Sequence, residues 1–342
     1  MKTLRTADEL VAAGLIPPAR RDAVAAVAAR YAVALTPAVV ALIDPADPAD
    51  PIARQYVPDP AELDADPGAR ADPIGDRAHS PIKGIVHRYP DRVLLTPLLH
   101  CPVYCRFCFR REVVGGPHAK LSADALAAAL DYIARHDAIW EVVLTGGDPL
   151  LLPAKTLASI VRALDAIPHV GVIRLHSRVP VGDPARLTQA KIDALATTDK
   201  AVWLAVHCNH PRELSAAAVA ACRRLVKAGI PLLGQTVLLK GVNDDPAVME
   251  ALMRALVRNR IKPYYLHHLD LAPGTARFRV PVAHGQALMR DLRGRVSGLC
   301  QPTYVLDIPG GHGKAPIGPT YLDDDGTIED WRGTRHRYPP AD

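Results

Sequence analysis

From about residue 92 onward, short apolar segments alternate with longer helical segments, and this alternation limits the fold more than any other feature of the chain. The apolar segments are RVLLT, WEVVLTGG, GVIRLHS, AVWLAVH, PLLGQTVLL, KPYYLHHLD and TYVLDIPGG. Between most of them lie segments such as SADALAAALDYIARH, in which apolar residues recur at helical spacing. Alternating strands and helices predict parallel strands joined by right-handed crossovers. The sequence therefore predicts an α/β fold, as an open or complete barrel or as a doubly wound sheet.

Composition divides the chain into four segments. Residues 1–44 are rich in alanine at helical spacing and predict an N-terminal helical region. Residues 45–91 are rich in proline and aspartate, which exclude long helices and central strands and predict an extended connector. Residues 92–320 carry the strand–helix alternation and predict the barrel, and residues 321–342 form a C-terminal tail.

Composition and charge exclude several classes of protein. The 342 residues are 49% hydrophobic and 23% charged, as in soluble globular proteins with a sizeable core. The net charge of +5 includes no polybasic run, so nucleic acid is not an expected partner. No apolar stretch reaches the about 18 residues of a membrane span, and the N-terminus does not resemble a signal peptide. The six unevenly spaced cysteines do not suggest a disulfide framework. These features predict a cytoplasmic protein with reduced thiols.

Polar residues and glycines recur at or near the ends of the predicted strands. In a barrel of this type the C-terminal ends of the strands converge on one mouth, where ligands bind. The sequence therefore predicts one pocket built from residues far apart in the chain. These residues are Cys101, Gly146, Gly147, Asp148, His176, Ser177, Arg178, His207, Gln235, Asp270 and Asp307.

Three of the six cysteines, Cys101, Cys105 and Cys108, fall in the segment HCPVYCRFCFRR. Thiolates from so short a loop can point at one centre. A structural zinc site usually has four ligands, and no fourth cysteine stands at a matching distance. In a four-iron cluster, three cysteines leave one iron free to bind another ligand. The spacing therefore favours an iron–sulfur cluster over zinc and over three incidental thiols.

The C-x3-C-x2-C spacing, with an aromatic residue beside the third cysteine, resembles that of radical S-adenosylmethionine (SAM) enzymes. The segments HRYPDRVLL, LTGGDPLLL, HSRVPV, HCNHPREL, QTVLLKGVND, PYYLHHLD and DIPGGHGK add a resemblance to the lysine 2,3-aminomutase family, in collinear order over roughly residues 72–320. The resemblance implies a partial (β/α)6-type TIM barrel with an N-terminal helical region and a short C-terminal extension. It also implies a [4Fe–4S] cluster, SAM and pyridoxal 5′-phosphate (PLP) as cofactors.

The resemblance assigns roles to particular residues. Lys314 in DIPGGHGK matches the lysine that forms a Schiff base with PLP, although a lysine in a glycine-rich loop is otherwise usually solvated. Asp148 is also a candidate helix N-cap. The implied roles are cluster binding by Cys101, Cys105 and Cys108, PLP binding by Arg88, Tyr89, Arg92 and Lys314, SAM binding by Gly146, Gly147, Asp148, His207 and Gln235, and substrate binding by Arg110, Asp270 and Asp307.

The implied reaction is the interconversion of L-lysine and β-lysine by 2,3-amino migration, through a 5′-deoxyadenosyl radical. The acidic pair Asp270 and Asp307 favours lysine over glutamate, because two carboxylates repel a third. Arginine stays open as a substrate, and so does the branch that makes (R)-β-lysine for elongation factor P. An iron–sulfur electron carrier or an ordinary PLP aminotransferase would each leave half of the motifs unused. The expected partners are a small-molecule substrate and an electron donor such as flavodoxin or ferredoxin, without nucleic acid or membrane, and a homo-oligomer stays open.

Overall fold

A computed structural model describes residues 2–116 and 120–339, and residues 1, 117–119 and 340–342 lie outside the described residues. The described chain contains a nine-stranded sheet whose strand order follows the chain. Its strands are β1 (Ile85–Tyr89), β2 (Arg92–Leu98), β3 (Glu141–Gly146), β4 (Val172–Ser177), β5 (Ala201–His207), β6 (Leu232–Val237), β7 (Ile261–His267), β8 (Thr303–Asp307) and β9 (Lys314–Pro316). Strands β2 to β8 pair in parallel, whereas β1 and β9 add antiparallel edges.

The helices connect the parallel strands. They are α1 (Ala7–Ala12), α2 (Arg21–Arg30), α3 (Pro37–Val40), α4 (Pro51–Tyr56), α5 (Ala123–Ala134), α6 (Ala154–Asp165), α7 (Val179–Gly182), α8 (Gln189–Leu195), α9 (Ala216–Lys227), α10 (Pro246–Arg258) and α11 (Val282–Arg295). Within the described residues, α5, α6, α8, α9, α10 and α11 follow β2 to β7 in turn, so six strand–helix units lead into β8. The predicted partial (β/α)6-type barrel is confirmed. No helix in the described part of the chain is long and apolar enough to cross a membrane.

Helix α6 shows why these segments are helical. Leu157, Ile160, Val161 and Leu164 are all buried in it, and their spacing puts them on one face. Elsewhere polar residues cap the first turn. Asp245, for example, accepts hydrogen bonds from two backbone amides at the start of α10. The apolar faces therefore pack the helices against the outside of the sheet, and the caps fix where the helices begin.

Alternation along the strands separates the core from the interior of the barrel. Val142 on β3 packs into the main hydrophobic core, whereas Val143 and Thr145 line a cavity inside the barrel. On β4 the same alternation turns Arg174 and His176 toward the cavity. Side chains on successive residues point to opposite faces of a sheet, so polar groups on these strands collect in the interior.

The N-terminal helices form a second hydrophobic cluster with part of the connector. Leu10, Val24 and Leu35 pack there with Ile52 and Tyr56 of α4. The proline-rich composition predicts that the connector wraps the domain without a core of its own. Ile52 and Tyr56 are two of its buried side chains, and they complete the core of the helical region. The division of the chain into residues 1–44, 45–91, 92–320 and 321–342 stays a prediction.

Candidate active site

A cavity of about 530 Å³ lies inside the partial barrel, a volume typical of small-molecule sites. The C-terminal ends of the parallel strands, the cysteine loop and the β1–β2 hairpin all contribute to its wall. Every site residue predicted from the sequence lines this one cavity. They are Arg88, Tyr89, Arg92, Cys101, Cys105, Cys108, Arg110, Gly146, Gly147, Asp148, His207, Gln235, Asp270, Asp307 and Lys314.

The three cysteines lie on the loop that follows β2. Burial raises the pKa of each thiol, that of Cys105 to about 11, so they become thiolates only when they bind a metal. In the described residues, no group of three or more metal-ligating side chains converges on a single ion. Each cysteine of an iron–sulfur cubane binds a different iron, so its sulfurs need not converge on one point. Three thiols on one cavity wall therefore fit a cluster and do not form a mononuclear site.

Two buried arginines brace the cysteine loop. Arg106 donates to Glu62 Oε2 at 2.6 Å, and Arg111 donates to the same carboxylate. The backbone N–H of Arg106 also donates to Gln55 O at 2.8 Å. Arg106 and Arg111 match no functional residue of the resembled family, so the sequence predicts only loop charges for them. This prediction is wrong, because both are buried and hold the loop to the connector. No local pattern indicates that Glu62 is their partner.

Arg178, at the end of β4, is one of the strand-end residues that the sequence predicts to face the pocket, and it lines the cavity, although the sequence assigns it no role. Its Nε donates to Tyr56 Oη at 2.6 Å, and its Nη2 donates to Gln55 Oε1 at 2.8 Å and to Glu213 Oε1 at 2.5 Å. Its Nη1 is buried and has no hydrogen-bond partner among the described residues. Because a buried donor is costly when unpaired, this N–H favours an anionic or polar ligand in the cavity.

The glycine turn after β3 brings backbone to the cavity wall. Gly146 has φ of +101°, a conformation that favours glycine. A Cβ on Gly147 would lie 2.3 Å from His100 O, so only glycine allows this close approach. The Asp148 carboxylate accepts hydrogen bonds from Leu150 N, at 3.0 Å, and from Ser177 Oγ, at 2.8 Å. It thus anchors the turn, as the N-cap alternative indicated, while the backbone faces the cavity.

Neutral polar side chains line the cavity beyond this turn. Burial lowers the pKa of His207 to about 3, so its imidazole is neutral at physiological pH. The Nε2 atom of His176 and the Oε1 atom of Gln235 are buried without a hydrogen-bond partner in the described chain. Such unsatisfied groups fit a polar ligand such as SAM better than an apolar one.

Lys314 is held at the cavity wall by a tight return of the chain. Gly310, Gly311 and Gly313 all have positive φ, which lets β9 turn back against β8. This return pairs Lys314 with Asp307, and the Lys314 Nζ atom lies 2.6 Å from Asp307 Oδ1. The backbone N–H of Lys314 donates to Tyr89 Oη at 2.7 Å. The amine therefore projects into the cavity from a fixed backbone.

Two cavity carboxylates differ in charge. Burial, and then the negative charge of Asp307, raises the pKa of Asp270 to about 7, although Lys314 and Arg110 oppose this shift. Burial would also raise the pKa of Asp307, but His267 and Lys314 lower it to about 2. At neutral pH the pair thus carries between one and two negative charges, and a bound cation would ionise it fully.

His267 links this pair to the other half of the cavity, and sequence reasoning missed it. Its Nε2 lies 2.9 Å from Gln235 Nε2, and its Nδ1 lies 3.7 Å from Asp307 Oδ2. If the Gln235 amide donates to Nε2, the proton of the neutral ring is on Nδ1 and faces Asp307. A histidine at the end of a strand was the only signal in the sequence.

The arginines predicted to bind anions also face the cavity. Arg88 donates to Ile74 O at 2.7 Å, and its Nε is buried with no hydrogen-bond partner among the described residues. Arg92 stacks on the Tyr89 ring, with its Cζ atom 3.8 Å from the ring centre. The cavity thus holds an unpaired guanidinium N–H and a projecting lysine amine. The first fits the phosphate of PLP, and the second fits its carbonyl group.

Comparison with known proteins identifies the family of this chain. Residues 95–252 match the radical SAM superfamily, and residues 289–328 match a domain described as lysine-2,3-aminomutase. The chain is 42% identical over 289 residues to the L-lysine 2,3-aminomutase of Clostridium subterminale, covering 84% of this chain and 69% of that protein. It is 38% identical over 304 residues to the glutamate 2,3-aminomutase of Clostridioides difficile (strain 630), covering 88% and 72%.

A solved radical SAM methyltransferase from Sphaerobacter thermophilus covers 65% of this chain and 68% of its own, with a TM-score of 0.49 and 25% identity. The partial barrel with its cysteine loop defines a radical SAM enzyme. More narrowly, the chain belongs to the lysine 2,3-aminomutase family. The cofactors of this family are a [4Fe–4S] cluster, SAM and PLP, and its substrates are small molecules.

Proposed function

We propose that the protein is a lysine 2,3-aminomutase that interconverts L-lysine and β-lysine. One observation carries the proposal: three thiols, a projecting lysine and two carboxylates line the same cavity. An electron carrier would not need Lys314, and an ordinary aminotransferase would not need the cysteine loop. The relatives named lysine 2,3-aminomutase support the same reaction.

Different residues of the cavity have different roles in the proposed reaction. When bound, the cluster and SAM supply one-electron chemistry that removes a hydrogen atom, and PLP supplies a conjugated ring that delocalises an unpaired electron. Lys314 attaches PLP, and Arg110 binds the substrate carboxylate. Asp270 and Asp307 bind the distal ammonium and fix the distance from it to the reacting carbons. When the Lys314 amine is free, Asp307 accepts its N–H hydrogen bonds and holds it in place.

The charge of the cavity supports lysine as the substrate. Glutamate would place a third carboxylate beside Asp270 and Asp307, whereas lysine places an ammonium there. We assign arginine, which is also cationic, as the second candidate. The proposal includes a cytoplasmic location and a flavodoxin or ferredoxin as electron donor, and the (R)-β-lysine branch is an outcome of the assay.

The test is an anaerobic assay of the reconstituted protein with lysine, arginine and glutamate in parallel, with the β-amino acid enantiomers resolved by chromatography. The expected result is β-lysine from lysine and no β-glutamate. The enantiomer distinguishes the two lysine branches. Conversion of glutamate without conversion of lysine would contradict the proposal.

The apparent KM for lysine is expected to fall about tenfold from pH 6 to pH 8. Over this range Asp270, whose pKa is about 7, loses its proton, while Asp307 stays ionised. The substrate ammonium then meets two negative charges instead of one. Steady-state kinetics at several pH values check this.

Asp270→Asn is the matched variant for this pH dependence. It keeps the shape of the side chain but cannot ionise, so its KM should stay high and vary little with pH. If KM changed equally with pH in the variant and the wild type, another group would be the cause of the pH dependence.

A further inference from the structure

A short turn in the connector lies against the predicted PLP site. We call residues 72–80 the strap. The Asp72 carboxylate accepts a hydrogen bond from Asp76 N at 2.9 Å and closes the turn. A Cβ on Gly75 would lie 2.5 Å from Gly311 N, so the strap packs directly on the glycine loop that precedes Lys314. The strap is thus fixed to the element that carries the reactive amine.

From this position, Asp76 binds two arginines at once. Arg88 Nη2 donates to Asp76 Oδ1 at 2.9 Å. Arg110 donates to Asp76 Oδ2 through Nε, at 3.0 Å, and Nη2, at 2.7 Å. Their side chains are largely buried, with 9% of Arg88, 17% of Asp76 and 13% of Arg110 exposed. Hydrogen bonds between charged groups in such surroundings are strong and directional.

The two arginines belong to different predicted subsites. Arg88 comes from β1 and is assigned to the PLP phosphate, whereas Arg110 comes from the cysteine loop and is assigned to the substrate carboxylate. Burial alone would raise the pKa of Asp76, but Arg110 and Arg88 hold it below its usual value, so the carboxylate is ionised. One anion therefore separates two cations that would otherwise repel each other.

The pattern of donors leaves each arginine able to bind a ligand. Arg88 uses Nη2 for Asp76 and for Ile74 O, and its buried Nε has no partner among the described residues. The bonds from Arg110 to Asp76 use one edge of its guanidinium, and both arginines line the cavity. Asp76 thus fixes the plane of each guanidinium and does not occupy all of its N–H donors.

We propose that Asp76 is a positioning residue that orients Arg88 and Arg110 together, so that one carboxylate sets both the phosphate subsite and the substrate-carboxylate subsite. The inference rests on the proposed function, because it takes the two arginine assignments from it. Loss of the Asp76 charge has two opposed effects. It makes the cavity more positive, which favours anions, but it frees Arg110 to turn toward Asp270, whose charge it already influences. The second effect wins, since a guanidinium binds a carboxylate or phosphate well only in a fixed orientation.

Asp76→Asn tests this inference, with Asp66→Asn as the matched control. Asp66 lies in the same connector and pairs with Arg279 at 2.7 Å, away from the cavity-lining residues. PLP affinity is measured by absorbance titration of the PLP-free protein, KM and kcat for lysine by product formation, and stability by thermal unfolding. Asp76→Asn should weaken PLP binding and raise the lysine KM, each about tenfold, with a smaller change in kcat. Asp66→Asn should change neither, and Asp76→Glu, which keeps the charge, should recover most of both.

Unchanged PLP affinity and lysine KM in folded Asp76→Asn would overturn the inference, and so would an equal loss in Asp66→Asn. If the amide prevents folding, Asp76→Ser removes the charge without placing an N–H against a guanidinium, and the same two constants decide. An assay of the wild-type protein distinguishes failure of this inference from failure of the proposed function. Absence of β-lysine from the wild type contradicts that function, whereas the PLP titration tests the role of Asp76 in either case.

Discussion

Lys314→Ala is expected to reduce β-lysine formation by roughly 10³-fold or more, because the variant loses the cavity amine that is placed to attach PLP covalently. Within the described residues, Lys314 is the one lysine that lines the cavity. The visible absorption band of the attached coenzyme should disappear, while the iron content should stay the same. Absorbance after removal of free PLP, together with the anaerobic assay, checks both expectations.

Two control variants accompany Lys314→Ala, and the first separates loss of the reactive amine from loss of its positive charge. Lys314→Arg keeps a cation for Asp307 but cannot attach PLP, so it should be as inactive as Lys314→Ala and closer to the wild type in thermal stability. Lys155→Ala, at an exposed lysine on α6, should leave activity and absorbance unchanged. Covalently attached PLP in Lys314→Ala would show that another lysine carries the coenzyme.

The barrel could be predicted from the sequence because its signal is local. Each parallel strand is a short apolar run, and each helix has an apolar face, as α6 shows with Leu157 and Leu164. The edge strands gave no such signal. β9 has only three residues, Lys314–Pro316, and forms because the positive-φ glycines before it return the chain to β8. Its existence depends on a turn and a neighbour rather than on a hydrophobic pattern.

Most residues of the site could be predicted from the sequence, because the topology of the barrel brings the ends of its strands together. Residues as distant as Cys101 and Lys314 line one cavity, since parallel strands end at the same mouth. The roles of these residues in binding cofactors and substrate stay predictions, since the structure shows their places and not their ligands. Family resemblance supplied the roles, and the geometry supplied their proximity.

The supporting contacts could not be predicted. Glu62 and Asp76 stand in a connector with many acidic residues, and nothing near them in the sequence indicates which arginine each one binds. The same is true of Arg178, whose partners come from α4 and from the segment after β5. Pairing of charges across the chain depends on the final packing, so it becomes visible only in three dimensions.

Cys105→Ser is expected to abolish activity by removing the cluster rather than by unfolding the protein. A serine hydroxyl is a much weaker iron ligand than a thiolate, and two remaining cysteines cannot hold three irons. The reconstituted variant should lose most of its iron and its broad visible absorption, and it should not cleave SAM. It should still attach PLP, because Lys314 lies on β9, an element separate from the cysteine loop.

The matched control for this prediction is Cys300→Ser, at a buried cysteine outside the cavity lining. It should keep the iron content, the absorption and SAM cleavage of the wild type, with at most a loss of stability from the buried hydroxyl. If Cys105→Ser retained its iron and its absorption, Cys105 would not be a cluster ligand. If Cys300→Ser lost iron equally, the cluster would depend on general stability of the barrel rather than on the loop. Only loss confined to the loop cysteine supports a cluster held by Cys101, Cys105 and Cys108 in the same cavity as the Lys314 amine.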